Sequence, residues 1–181
     1  MKFNTFIFTY ILVMLLFIGN AISQDFEVKY GVKGGILKME EPWDKGFYGS
    51  LIAGIPLSQQ LEFVIPISYW ISRYESYGLN IILKNLKISS DIQFYPLQNV
   101  GLFFGGGLNY NLFRFDVPIY DWETDTWYVF DVAEEKKFGF SVLGGYRIQI
   151  GGMDGFLSVK YNFIKDFNTL EIGLGVLLEK P

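Results

Sequence analysis

Residues 156–178 read FLSVKYNFIKDFNTLEIGLGVLL, and every second residue from Leu157 to Phe163 and from Leu170 to Leu178 is apolar. Between them stand Ser158, Lys160 and Asn162 on one side of the turn and Glu171, Gly173 and Gly175 on the other. Side chains that alternate with period two belong to strands with two unlike faces. The stretch therefore reads as a hairpin. What it leaves open is which face meets a protein core. An inward apolar face makes a soluble barrel or sandwich, and an outward one makes a barrel dissolved in lipid.

The same pattern recurs along the chain, and no helical period of convincing length follows Gln24. Strands are predicted near Asp25–Ile36, Gly46–Ile55, Leu61–Arg73, Ile81–Tyr95, Val100–Arg114 and Phe138–Ile150, ahead of the closing hairpin. The connectors alternate between tight ones (Pro56–Gln60, Pro96–Asn99, Gly151–Gly155) and more variable ones (Leu37–Lys45, Tyr74–Gly78, Phe115–Lys137). Two tight ones begin Pro-Leu directly after a strand, where proline ends the hydrogen-bond ladder. Eight strands in sequence with one smooth end and one looped end predict an antiparallel up-and-down β-barrel.

The face opposite the apolar one decides its solvent. It carries Gly101, Phe103, Gly105, Gly107, Asn109 and Asn111 in the fifth strand and Gly139, Ser141, Leu143, Gly145, Arg147 and Gln149 in the sixth. Water-facing strands are rich in Lys, Glu and Thr, which keep edges soluble. Small residues suit a crowded, narrow lumen. From Phe138 to Phe163 the apolar face bears no charge, as lipid demands, since Lys or Arg there costs about 2–4 kcal/mol at mid-membrane. Phe26, Phe47, Tyr69, Phe94, Tyr110 and Phe138 fall near strand ends, where interfacial aromatic girdles form. The alternative is a soluble periplasmic or secreted, lipocalin-like barrel binding an apolar ligand. It requires Leu170, Ile172, Leu174 and Val176 inside.

The N-terminus carries Lys2, an apolar run from Phe6 to Ile18 and Ala21-Ile22-Ser23. That run is shorter than the ~20 residues of a spanning helix and reads as a cleavable signal peptide over 1–23, with the barrel domain over 24–181. Net charge is −4, with scattered basic residues, so no nucleic-acid partner is expected. With no Cys and no His, thiol chemistry and a Ser-His-Asp triad are excluded. No catalytic residue, cofactor or metal site is predicted.

The inward charges singled out are Lys29, Glu62, Asp91, Arg147, Lys160 and Glu171, expected as a lumen network. A turn at Lys165-Asp166 sets Lys160 opposite Glu171, predicting an ion pair, with Lys29 also within reach of Glu171 across the closing seam. The long connector, residues 116–137, mixes acids with aromatics. Asp121-x-Glu123-x-Asp125 alternates carboxylates but lacks the glycine and terminal glutamate of a calcium loop. Trp122, Trp127 and Tyr128, with Trp43 from the connector Leu37–Lys45, are candidate contacts for an extracellular or envelope partner.

YGVKGG at Tyr30–Gly35, FGFSVLGGYRIQIGGMDGFLSVKYNF at Phe138–Phe163 and LEIGLGVLL at Leu170–Leu178 together resemble the small eight-stranded, porin-like outer-membrane β-barrel proteins of double-membraned bacteria. The resemblance implies an outer-membrane location in contact with outer-membrane lipid, with the tight turns in the periplasm; the role expected from the chain itself is structural or in surface interaction, with the narrow lumen filled by side chains rather than open as a pore. The resemblance implies no particular activity.

Overall fold

A computed structural model describes residues 28–41, 43, 45–76, 79–97, 100–121, 124–151 and 153–178. The signal-peptide reading, Phe26 and Trp122 lie outside them. Eight strands run in chain order: β1 (Lys29–Met39), β2 (Gly46–Pro56), β3 (Leu61–Ser76), β4 (Leu79–Phe94), β5 (Leu102–Asp121), β6 (Thr126–Ile150), β7 (Met153–Ile164) and β8 (Thr169–Leu178). Each pairs antiparallel with its neighbour, and β8 closes on β1. Closure leaves no open edge, so every strand can be amphipathic without a pairing hazard.

The apolar face points outward on all eight strands. Phe47 is 77% exposed, Leu51 65% and Leu174 67%, and Val32, Tyr69, Ile92, Leu108, Phe140 and Val159 are exposed with them. The inner face buries Ser68, Asn85, Lys87, Asp91, Asn111, Lys160 and Glu171. A barrel that buries Lys87, Asp91, Lys160 and Glu171 while exposing Leu51, Leu108 and Leu174 has the polarity of a transmembrane barrel. The lipocalin-like alternative fails here, because Ile172, Leu174 and Val176 are on the outside. Tyr69, Phe94 and Phe138 are exposed on that surface, and Tyr110 and Phe138, partners across β5 and β6, bring their rings to 5.1 Å.

The closing hairpin has the expected register. Lys160 stands opposite Glu171 and Asn162 opposite Thr169. The turn between Ile164 and Thr169 places Asp166 at a φ of 67°, a left-handed conformation that Asp tolerates better than most residues. The inner glycines of β8 make room for neighbours. A Cβ at Gly173 would run into the Tyr48 hydroxyl, with Lys33 Cε and the Gly34 carbonyl oxygen each 2.9 Å away. Gly173→Val is therefore expected to cost about 1–3 kcal/mol through overpacking, read as a lower urea midpoint in refolded protein, whereas Gly49→Ala, where a Cβ meets nothing within 4 Å, changes it little.

One element leaves the barrel. β4 follows β5 only to Asp116, and β7 joins β6 only from Gly139. A register shift lies between Phe115 and Asp116, after which Val117–Asp121 pairs only with Thr126–Phe130. Such a bulge adds twist and re-aims a strand. The long connector is thus a two-stranded ribbon that continues the barrel wall past the rim. At its base Asp116 accepts from Lys84 Nζ at 2.6 Å and from Arg114 Nε at 3.0 Å.

Candidate functional site

The lumen is stacked in layers, because each strand contributes an inward residue at each level. At the looped end lies an apolar plug of Leu37, Met39, Tyr48, Trp70, Leu83, Phe113, Ile164 and Phe167. Phe113 stacks on Phe167 at 4.5 Å and meets Trp70 edge-on at 5.8 Å. Below it come short amides and hydroxyls. Asn85 donates to Asn111, Asn111 to Asn109, Asn162 to Thr169, and Ser50 to Ser68.

The next layers carry the charges. Lys87 pairs with Glu171, which also accepts from Asn162 Nδ2 at 3.0 Å. Lys160 Nζ reaches both Asp91 oxygens, at 2.8 and 2.6 Å. A second apolar collar follows, formed by Ile52, Val64 and Leu177 with Phe156 against them. The tight-turn end opens into a cup of about 710 Å³. There Arg147 binds Glu62 at 2.5 Å and approaches Asp154 at 3.6 Å, Lys29 binds Asp154 at 2.9 Å, and the Tyr95 hydroxyl donates to Glu62 at 2.9 Å.

All six singled-out charges line this interior, but two expected pairings differ. Lys160 and Glu171 are register partners, yet each finds its counter-charge on β4, in Asp91 and Lys87. A lysine is long enough to cross a narrow lumen, so the facing wall competes with the adjacent strand. Lys29 cannot reach Glu171 because the seam sets Leu37, not Lys29, opposite it. It takes Asp154 instead. The candidate set omits Lys33, Lys87 and Asp154. Alternation does place the first two inward, since they stand between Val32 and Gly34 and between Leu86 and Ile88. Asp154 follows a turn, where no alternation precedes it.

Trp43 is a second correction. It packs on the plug, with its ring 5.6 Å from Tyr74 and 6.0 Å from Phe115, rather than joining the ribbon. Tyr128 is exposed there, as is Ile119. Tyr120 donates to Asp125, and Thr124 bonds Thr126 and Tyr128. The Trp127 backbone pairs with Tyr120 within the ribbon.

No protein-family model and no curated protein matches the chain. Solved structures do. Neisserial surface protein A is 16% identical, covering 84% of this chain and 97% of its own, with a TM-score of 0.58. The chain has the fold of the small bacterial outer-membrane β-barrels. Ail, the attachment invasion locus protein of Yersinia pestis, is 12% identical over 86% of this chain and 99% of its own, with a TM-score of 0.56 in its complex with the heparin analogue sucrose octasulfate. The outer membrane protein OprG from Pseudomonas aeruginosa is 12% identical over 86% and 98%, with a TM-score of 0.53. At such identities the outer-membrane barrels share with this chain a backbone plan.

Proposed function

We propose that this protein resides in the outer membrane, tight turns toward the periplasm, and works by contact through the β5–β6 ribbon rather than by passing solutes or by catalysis. The observation that carries the reading is the ribbon itself, the element that runs past its neighbours while the described strands beside it stop at short connectors. Strand pairing that outlasts the barrel wall holds a recognition surface away from the headgroups at little entropic cost. The apolar plug and the cross-lumen ion pairs support a closed interior, since eight strands leave space that side chains fill. The absence of His and the pairing of each inner carboxylate with a cation support a non-enzymatic role.

The ribbon's chemistry favours a basic partner. Residues 117–130 carry Asp121, Glu123 and Asp125 and no Lys or Arg. Ail was solved with a polyanion, and an acidic ribbon would repel one. The test compares the intact barrel with one in which 117–130 is replaced by an Asn-Gly turn. Binding of oligolysine peptides carrying interspersed aromatics, read by tryptophan fluorescence and calorimetry, is expected to fall about tenfold or more on shortening. Neither protein should give conductance steps in planar bilayers. Equal peptide binding by both, or steps from the intact protein, would overturn the reading.

A further inference from the structure

Below the plug the described lumen holds five basic side chains, Lys29, Lys33, Lys87, Arg147 and Lys160, and four carboxylates, Glu62, Asp91, Asp154 and Glu171. Four bases are matched, Lys29 with Asp154, Lys87 with Glu171, Arg147 with Glu62 and Lys160 with Asp91. Lys33 is the fifth. Among the described residues it has no hydrogen bond and no carboxylate within ion-pair distance. Its ammonium sits 5.2 Å from the centre of the Tyr48 ring. Glu171, the acid nearest in the same layers, is already engaged by Lys87 and Asn162.

Lys33 borders a lumen chamber of about 40 Å³ that Lys87, Lys160 and Ser158 also line, room for roughly three waters. Lys33 Cε passes over Gly173, whose cross-strand partner is Ser158. The Ser158 hydroxyl is fully buried and has no hydrogen-bond partner. An ammonium without an ion-pair partner and a hydroxyl without an acceptor therefore line one small cavity, with Lys87 and Lys160 on its wall beside the carboxylates they pair with, Glu171 and Asp91. Withdrawing a charge from water without an ion-pair partner is unfavourable, and an anion in the chamber would offset that for the half-buried Lys33.

We infer that the lumen chamber is a binding site for a small monovalent anion of halide size, held by Lys33 Nζ and Ser158 Oγ. Lys87 and Lys160 add positive potential from their places in neighbouring ion pairs. Arg147 lines both the chamber and the cup at the tight-turn end, so the approach from that side is itself cationic. The site is unrelated to the ribbon and stands or falls separately from it.

The test uses the full barrel in zwitterionic detergent, unfolded thermally in sodium bromide or in sodium gluconate at equal ionic strength. Gluconate is too large for the chamber. The wild-type midpoint is expected to rise saturably by a few degrees in bromide. In Lys33→Met the bromide dependence disappears, and the midpoint in gluconate does not fall below that of the wild type, because an uncompensated charge has been removed. Equal wild-type midpoints in the two salts, or the same bromide rise in Lys33→Met, would overturn the site. Should that variant not fold, bromide-soaked wild-type crystals decide the matter. An anomalous peak within hydrogen-bond distance of Lys33 Nζ supports the site, and an empty chamber at saturating bromide rejects it.

Discussion

Lys160→Met is expected to cost the barrel about 3–5 kcal/mol of stability, the penalty for leaving one member of a buried ion pair alone. Asp91 is almost wholly buried and takes both bonds of Lys160 Nζ at 2.8 and 2.6 Å. Its remaining side-chain partner among the described residues is the Ser141 hydroxyl at 3.3 Å, which cannot compensate a full charge. Converting the carboxylate as well, in Lys160→Met with Asp91→Asn, should recover most of the loss. Urea titrations of barrels refolded into vesicles, followed by the gel shift between folded and unfolded forms, would give both values. A loss under about 1 kcal/mol, typical of solvated pairs, would mean that the lumen is open to water at this level.

Leu174→Arg probes the other face and should cost about 2–4 kcal/mol, as cations do near the bilayer midplane. Leu174 is 67% exposed, midway along β8. Leu57, 46% exposed in a tight turn, is the matched control. There arginine should change stability by about 0–1 kcal/mol, the interfacial value. On a water-soluble barrel both substitutions would fall within about 0.5 kcal/mol, as surface changes do. The difference between the two sites thus reports the solvent, independently of how well arginine suits a strand.

The features that lipid imposes on every strand are those most readable from sequence. Alternation places Phe47, Leu108, Phe140 and Leu174 on one face because any slip by one residue would expose lumen charges to lipid. The spacing around Lys165-Asp166 likewise yields the β7–β8 register directly. Ion-pair partners are a different matter. Lys160 lies opposite Glu171 in register but bonds Asp91 across the lumen, and that distance depends on closure, which no local pattern encodes. The ribbon is half-legible. Its acids and Pro118 interrupt the alternation, so the segment reads as a loop, although pairing continues to Asp121 and Thr126. Trp43 shows the same limit, since a connector folding back onto a plug made by β1–β5 and β7 is a tertiary event.

The chain contains no cysteine, which makes single-site labelling clean and allows the orientation of the two faces to be measured directly. Nitroxides placed in turn at Ile172, Leu174 and Val176, with Lys45 and Leu57 as references near water, would be compared in vesicles for collision with oxygen and with a water-soluble nickel complex. Oxygen is expected to dominate at the three β8 positions and nickel at the two references. Nickel dominating at Ile172, Leu174 and Val176 would contradict it, because those side chains would then face water and the barrel would not be held in lipid.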